Sequence, residues 1–311
     1  MSNPREIWHL CDGKPGHVNQ VRGLINAIGK QTTVNVHRID VPSRCRSLYH
    51  WMRGVFPPGQ ALPNPDLLIA AGNATHLALL AARRARGGKA IVMMSPQLPV
   101  GWFDLCIVPE HDGVKPRANV LLTHGALNHI EPSQSQSPRR GLILIGGPSK
   151  NYGWSASALT EQVCAVVMRD AEIHWTLTTS RRTPAGYSQE LIDLALPNLG
   201  VVPVEKTSKD WVGQRMNECG KVWVTEDSVS MVYEALTSGA SVGLLAMPRG
   251  RSGRFLRPGK ARVMAGLDKL AQDQMITTFE AWRATGELRK PAVRIDEAGR
   301  CAQVVIEKWL R

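Results

Sequence analysis

The 311-residue sequence lacks several patterns that would place it in a class directly. No run approaches the roughly 20 apolar residues that a membrane-spanning helix needs, and the N-terminus lacks the apolar core of a signal peptide. The six cysteines are scattered without a CxxC pair, so we expect reduced thiols in the core rather than disulfides or zinc ligands. Together these absences predict a cytoplasmic protein.

The motifs of several ligand-binding classes are missing as well. The chain contains neither the P-loop pattern nor the GxGxxG pattern of dinucleotide-binding proteins. It has no Asp-x-Asp pair that would hold a divalent metal, no zinc-finger spacing and no RNP sequence. We therefore expect no metal, no resident cofactor and no nucleic-acid partner.

Positive charge is present in excess, with a formal net charge of +12 that indicates anionic partners. Much of it lies in one run interrupted by glycines: Arg249, Arg251, Arg254, Arg257, Lys260 and Arg262. This run is either a solvated loop or a contact for phosphate or membrane headgroups. Together with the aromatic segment around Trp51 and Phe56, it favours a peripheral position at the inner face of a membrane, near a lipid-linked acceptor.

Short apolar strands alternate with helices along most of the chain, and the alternation restarts at Leu142–Ile145 after a polar stretch. This pattern is typical of a parallel sheet covered by helices on both faces. The sequence therefore predicts an α/β fold with two Rossmann-like, doubly wound domains facing a cleft. The predicted segments are an N-terminal domain of residues 1–131, a linker of residues 132–140, a C-terminal domain of residues 141–295 and a final amphipathic helix of residues 296–311.

The glycine loop after Leu142–Ile145 is the first candidate site. It contains Gly146, Gly147, Pro148, Ser149, Lys150 and Asn151. A junction of strand, glycines and helix leaves backbone N–H groups unpaired at the helix N-terminus, where they can hold a phosphate. Lys150 would add a positive charge to such a site. The alternative is a tight turn that simply requires two glycines.

A second candidate is the helix predicted before Gly239, which is typical of a helix C-terminus. Asp227 or Ser228 can cap the start of this helix. Asp227, Ser230 and Glu234 share one face of it, because they are spaced by three and four residues. The helix N-terminus would hold a diphosphate, and Glu234 would accept the hydroxyls of a ribose. The alternative is a capped amphipathic helix whose acidic face is incidental.

A third candidate is the glycine loop Asp12–His17, which follows the first predicted strand. Gly13 and Gly16 allow a ligand to approach the backbone, and His17 beside Asp12 is a candidate base because the pKa of histidine lies near neutral. A lone histidine is otherwise structural. Further candidates at predicted strand ends are Lys14, Asn73, Glu110 and His124 on the acceptor side and, for phosphate, the pair Arg181 and Arg182. For this pair the alternative is a solvated loop.

Three motifs occur in the order DGKPGHxNQ at residues 12–20, GGPSKxYxW at residues 146–154 and TEDSxSMxxEA at residues 225–235. In these motifs the chain resembles the mitochondrial-fission (elongated-mitochondria) family of plants and its bacterial relatives. The likeness spans nearly the whole chain. It implies a glycosyltransferase of the GT-B type, the activity with which the bacterial members are associated.

The chain also resembles GT-B glycosyltransferases such as the enzyme that adds N-acetylglucosamine to the lipid-linked peptidoglycan precursor. That resemblance implies that the loop with Gly13, Gly16 and His17 faces the acceptor, and that the last helix crosses back to the first domain. The residues that it implies for holding the nucleotide-sugar are Gly146, Gly147, Ser149 and Glu234. The chain departs from that enzyme at residues 148–150 and 226–227, so the donor stays open.

We therefore predict a metal-independent glycosyltransferase that moves a sugar from a nucleotide-diphosphate donor to an acceptor of the cell envelope or membrane surface. His17, oriented by Asp12, would deprotonate the acceptor, while Lys150 and Arg181 would stabilise the leaving diphosphate. One alternative is a nucleotide-sugar epimerase or hydrolase on the same fold. The carboxylates available for that chemistry are Glu110, Asp112 and Glu226. Another alternative is a non-catalytic interaction protein.

Overall fold

The computed structural model describes residues 3–133, 135–249 and 258–310, and in the last range it describes side chains from residue 265 onward. Contacts between residues divide the chain into two compact units. Unit 1 comprises residues 1–129 and 296–311, and unit 2 comprises residues 130–295. The C-terminal segment therefore belongs to the first unit although it follows the second in the sequence.

Unit 1 contains a six-stranded parallel sheet in the order β2-β1-β3-β4-β5-β6. Its strands are β1 (Arg5–Cys11), β2 (Val34–Asp40), β3 (Leu67–Ala71), β4 (Lys89–Met93), β5 (Leu105–Pro109) and β6 (Val120–Thr123). Its helices are α1 (Pro15–Gly29), α2 (Arg44–Arg53), α3 (His76–Arg86) and the C-terminal α10 (Glu297–Trp309). The described α10 buries Cys301 and Val305 in the same apolar cluster as Leu24 of α1.

Unit 2 contains a second six-stranded parallel sheet in the order β12-β11-β10-β7-β8-β9. Its strands are β7 (Ser137–Leu144), β8 (His174–Thr178), β9 (Leu199–Val202), β10 (Cys219–Thr225), β11 (Ser241–Leu245) and β12 (Thr277–Thr278). Its helices are α4 (Ala156–Arg169), α5 (Tyr187–Asp193), α6 (Trp211–Glu218), α7 (Val229–Ser238), α8 (Pro258–Gln272) and α9 (Phe279–Thr285).

Each sheet separates two apolar clusters, because successive side chains of a strand point to opposite faces. In β3, Leu67 and Ile69 belong to one cluster, whereas Leu68 and Ala70 belong to the other. Every residue of β3 is buried, which explains why this strand is a continuous apolar run rather than an alternating one. Helices cover both faces of each sheet, and the prediction of two doubly wound α/β domains is confirmed.

In both sheets the first strand of the unit lies in the interior, and the strand order reverses beside it. The reversal lies between β1 and β3 in unit 1 and between β7 and β10 in unit 2. Ligands of open parallel sheets bind beyond the carboxyl ends of the strands at such a switch point. The loops that leave these four strands are therefore the places to look for a site in each unit.

The predicted linker of residues 132–140 overlaps the sheet of unit 2. Strand β7 begins at Ser137, which pairs with Cys219 of β10. The sequence hides this extension because residues 138–140 are exposed and polar, and the buried apolar part of the strand begins only at Gly141. Among the described helices, none combines the length and hydropathy that crossing a bilayer requires.

Candidate functional site

The switch point of unit 2 brings together three loops: the glycine loop after β7, the loop from β10 into α7 and the loop after β8. The two glycines make this approach possible. A β-carbon on Gly146 would lie 2.3 Å from the carboxylate of Asp227, and one on Gly147 would lie 2.2 Å from the backbone oxygen of Arg182. Real β-carbons do not approach other atoms so closely, so only glycine fits at these two positions.

The carboxylate of Asp227 joins the three loops, and its side chain is completely buried. Its Oδ2 accepts hydrogen bonds from the backbone N–H of Gly147 at 3.2 Å and from the hydroxyl of Ser228 at 3.1 Å. The guanidinium of Arg182 lies 2.7 Å from the same oxygen and also donates to the backbone oxygen of Gly147. The second oxygen, Oδ1, is buried and has no hydrogen-bond partner among the described residues.

Most backbone N–H groups of the glycine loop are not free for phosphate, contrary to the prediction from the sequence; within the described residues, only the N–H of Lys150 has no acceptor. Gly146 donates to the hydroxyl of Thr225 at 2.8 Å, and Gly147 donates to Asp227. The backbone N–H of Ser149 donates to the backbone oxygen of Tyr152, and the Ser149 hydroxyl accepts from Tyr152 in return. It also accepts from the backbone N–H of the predicted donor residue Asn151. The loop is therefore folded on itself and on the β10–α7 connection.

The start of α7 offers two further open backbone donors. Within the described part of the chain, the backbone N–H groups of Val229 and Ser230 have no acceptor. Ser228 precedes the helix, but its hydroxyl caps none of these groups. Lys150 is exposed and makes no ion pair with a described residue, so its charge is also available.

Glu234 lies four residues beyond Ser230 on α7, one turn further along the helix. The residue is half-buried, and its carboxyl forms no hydrogen bond or ion pair within the described ranges. Burial alone raises the pKa of Glu234 from 4.5 to about 7. A partly buried carboxyl without a partner is costly for a folded protein, and such groups often complete their hydrogen bonds with a ligand.

Of the two neighbouring arginines after β8, Arg182 and not Arg181 contacts the glycine loop and Asp227. Arg181 is exposed and contacts no acid of the described chain. Arg182 binds Asp227, and Thr183 donates to the backbone oxygen of Gly146 at 2.5 Å. The sequence Thr-Thr-Ser-Arg-Arg indicates a polar loop at a strand end, but it does not show which arginine pairs with an acidic residue.

The switch point of unit 1 holds the predicted Asp12–His17 pair. His17 Nδ1 lies 2.9 Å from Oδ2 of Asp12, whose side chain is almost fully buried. The ring of His17 packs directly on Gly72, the residue after β3, where a β-carbon would lie 2.1 Å from the ring. If Nδ1 carries the proton that Asp12 accepts, Nε2 is left as the basic nitrogen. The arrangement therefore suits proton abstraction.

The predicted acceptor-side residues do not form one cluster. Asn73 lies next to Gly72, and its Oδ1 is buried with no partner in the described ranges. Glu110 and His124 follow β5 and β6, and the distance from His124 Nδ1 to Glu110 Oε1 is 3.5 Å. Strands lie about 4.8 Å apart, so β5, three places from β1 in the sheet, is about 14 Å away. Glu110 and His124 are thus a pair separate from His17.

The glycines and lysine of the first loop have a different environment. A β-carbon on Gly13 or Gly16 would meet no atom within 4 Å, so the protein itself requires neither for packing. Gly13 has φ +79°, which favours glycine. The backbone N–H of Lys14 donates to Asp12 Oδ1 at 3.2 Å and helps to hold that carboxylate.

The basic and aromatic features of the sequence are only partly described by the structure. Arg251, Arg254 and Arg257 lie outside the described residues, as do the side chains of Lys260 and Arg262. Phe56 is buried against Trp8, and Trp51 stacks on Trp102, so the aromatic segment contributes to packing. The apolar side chains that α2 exposes are instead Leu48, Tyr49 and Met52.

No group of three or more histidine, cysteine or acidic side chains suited to a metal ion occurs in the residues that the structure describes. The groups at the two switch points differ. Unit 2 offers helix N–H groups and a carboxyl, and unit 1 offers a carboxylate–histidine pair.

Comparison with known proteins places these features in context. The profile of a family described as mitochondrial fission ELM1 matches residues 15–309. An uncharacterized protein of Rickettsia prowazekii (strain Madrid E) is 22% identical over 301 residues, which covers 78% of this chain and 83% of that protein.

Two solved structures show the same fold at low sequence identity. A proposed UDP-N-acetylglucosamine 2-epimerase of Listeria monocytogenes superposes with a TM-score of 0.57 at 11% identity, covering 99% of this chain and 97% of that one. The S. aureus MnaA–UDP co-structure gives a TM-score of 0.52 at 12% identity, with coverages of 97% and 95%. At these identities the likeness establishes the fold and nothing more.

Proposed function

The chain belongs to the mitochondrial fission ELM1 family, and we propose that it is a GT-B glycosyltransferase whose donor is a nucleotide-diphosphate sugar. The family assignment made from the three motifs is thereby confirmed. The observation that carries the proposed activity is Glu234, a half-buried carboxyl with no described partner and a pKa raised to about 7. Glu234 lies in the second turn of α7, and the first turn of the same helix has two open N–H groups.

The start of α7 and Glu234 suit the two ends of one ligand. The N–H groups of Val229 and Ser230 and the positive end of the helix dipole favour a diphosphate. A carboxylate can accept hydrogen bonds from the two hydroxyls of a ribose. Glu234 is the fifth residue after Val229, a rise of about 7.5 Å along the helix. UDP is the first nucleotide to test, because UDP is bound in the S. aureus structure of the same fold.

In the proposed reaction the acceptor hydroxyl attacks the anomeric carbon of the donor sugar. A bond forms between the acceptor oxygen and that carbon, the bond to the diphosphate oxygen breaks, and the acceptor proton passes to Nε2 of His17. Asp12 holds the ring through Nδ1. The diphosphate leaves with added negative charge, which the α7 N–H groups and Lys150 stabilise. A base positioned in this way contributes about 10²–10⁴-fold to the rate.

The second candidate is a nucleotide-sugar epimerase or hydrolase, because the Listeria structure of the same fold is a proposed epimerase. That chemistry needs carboxylates near the sugar, but the three available ones have structural partners. Glu226 accepts a hydrogen bond from the backbone N–H of Met247, Asp112 accepts one from Ser95, and Glu110 lies beside His124. Consumption of a nucleotide-sugar by the protein alone, without any acceptor, would favour this candidate.

The acceptor is proposed to lie at an anionic membrane surface. The exposed side chains of Tyr49 and Met52 on α2 are flanked by Arg46 and Arg53, and no acidic residue occurs in this helix. Apolar and basic side chains on one helix favour an anionic interface. Met52→Glu should weaken binding to vesicles of anionic lipid. Met168→Glu, at an exposed apolar position on α4, is the control and should leave it unchanged.

A thermal-shift screen with UDP-, GDP-, ADP- and CMP-sugars tests the donor site. A ligand at 100 times its Kd stabilises the folded protein by about 2.7 kcal/mol, which is a shift of several degrees for a domain of this size. Glu234→Ala should lose the shift, whereas Glu161→Ala, at an exposed position on α4, should keep it. No shift with any nucleotide-sugar, or an equal shift in Glu234→Ala, would contradict the proposal and favour an interaction protein.

A further inference from the structure

A surface pocket of about 490 Å³ lies entirely within unit 1, beyond the carboxyl ends of β1 and β2. It is separate from the proposed donor residues, all of which belong to unit 2. The lining residues that bear on its chemistry are Asp12, Arg38, Asp40, Ser43, Arg44 and Ala74. Asp12 is also the partner of His17, so the pocket adjoins the proposed base.

One side of the pocket is basic. Arg44 is the first residue of α2, and its guanidinium forms no ion pair or hydrogen bond within residues 3–133, 135–249 and 258–310. Ser43 precedes the helix, but its hydroxyl does not cap the first turn. The backbone N–H groups at the start of α2 therefore remain open beside the free guanidinium. An uncapped helix start and an unpaired arginine together favour an anion.

Carboxylates also line the pocket, which distinguishes it from a simple anion site. Asp40 ends β2, and its carboxylate is 81% exposed and 3.4 Å from the guanidinium of Arg38. Asp12 contributes a buried carboxylate that already binds His17 and the backbone of Lys14. Free inorganic phosphate can bind Arg44 and the start of α2, but the carboxylates repel it. A neutral sugar can donate hydroxyls to Asp40 but leaves Arg44 unpaired.

We infer that this pocket binds a phosphorylated sugar or polyol, with the phosphate at Arg44 and the start of α2 and the hydroxyls at Asp40. Such a ligand can bind the basic groups and the carboxylates of the pocket at once, because it carries the anion and the hydroxyl donors in one molecule. Since Asp12 is shared with His17, a hydroxyl of the same ligand can approach the base. The ligand is therefore the acceptor class, and this role rests on the proposed function.

Isothermal titration of the full-length protein with glucose 1-phosphate and glycerol 3-phosphate tests the inference. Arg44→Ala should weaken binding of both by at least about 10-fold, the usual loss for a charge-assisted hydrogen bond. Arg84→Ala removes an exposed charge from α3 that does not line the pocket, and it should bind as the wild type does. Asp40→Asn should weaken the binding of the sugar phosphate but not the binding of inorganic phosphate.

Equal losses in Arg44→Ala and Arg84→Ala would mean unspecific attraction by the basic protein and would overturn the inference. Binding to vesicles of phosphatidic acid without any binding of the soluble phosphates would overturn it as well, since the phosphate would then come from a lipid surface. The variant Glu234→Ala distinguishes binding at this pocket from binding at the proposed donor site. It should keep sugar-phosphate binding while losing the nucleotide-sugar shift, so failure of the proposed donor function and failure of this pocket give different results.

Discussion

Replacing Glu234 by glutamine is expected to stabilise the ligand-free protein above neutral pH while it removes affinity for the nucleotide-sugar. Burial raises the pKa of Glu234 from 4.5 to about 7. Between these two values the folded protein keeps a proton on this carboxyl that the unfolded chain has lost. Because the folded state binds more protons there, the free energy of unfolding falls as the pH rises through this window and stays at the lower level above it.

The size of the effect follows from the shift in pKa. At 1.36 kcal/mol per pKa unit, the ionised carboxylate would destabilise the folded state by about 3 kcal/mol, and partial exposure reduces this to about 1–2 kcal/mol. Glutamine has no proton to lose. The stability difference between Glu234→Gln and the wild type should therefore grow from near zero at the acidic end of the window to its full size above pH 7.

Urea unfolding followed by tryptophan fluorescence, repeated from about pH 5 to about pH 8, measures this difference. Glu161→Gln on α4 is the control and should show none, because Glu161 is exposed. The thermal shift with the nucleotide-sugar is recorded on the same samples. A stability difference that does not change with pH, or a wild type more stable than Glu234→Gln at pH 8, would refute the argument.

Four other outcomes follow from the contacts at the two switch points. Arg182→Met should destabilise unit 2 by about 2–3 kcal/mol in urea unfolding, because it leaves the buried carboxylate of Asp227 without its cation; a smaller loss than in Asp227→Asn would contradict this. His17→Ala should lower turnover by about 10²–10⁴-fold while the donor-induced thermal shift stays unchanged, and full turnover would exclude His17 as the base. Gly72→Ala should displace the His17 ring, 2.1 Å from the new β-carbon, and reduce turnover, whereas Gly101→Ala, with no atom within 4 Å, should not. Treatment with EDTA should leave turnover unchanged if N–H groups and Lys150 alone stabilise the leaving group; a loss restored by Mg²⁺ would refute metal independence.

The predicted cap of α7 illustrates where local rules stop. Asp227 precedes the helix by two positions and is a typical capping residue. In the structure its carboxylate turns instead to Gly147 and Arg182, residues 80 and 45 positions earlier in the chain, and Ser228 leaves the first turn uncapped. The same contact engages the Gly147 N–H that was predicted to be free. Neither choice can be inferred from the residues around the helix.

The unit 1 site was easier to predict because its two members lie in one loop. Asp12 and His17 are five residues apart, and a strand that runs into a helix brings them together with few alternatives. The contact is present, while its role as a base stays a prediction. The packing of His17 on Gly72, by contrast, depends on β3 lying next to β1, and no feature near Gly72 in the sequence indicates it.

The fold class, the family and the strand–loop–helix junctions could be predicted from the amino-acid sequence, because apolar runs, glycines and helical spacing act within a few residues of each other. Which polar groups have hydrogen-bond partners and which stay open became clear from the folded structure. It bonded the glycine N–H groups, paired Arg182 but not Arg181 with Asp227, and left Glu234 and Arg44 without partners in the described residues. These outcomes depend on which strands are neighbours, and strand order joins residues that are far apart in the chain.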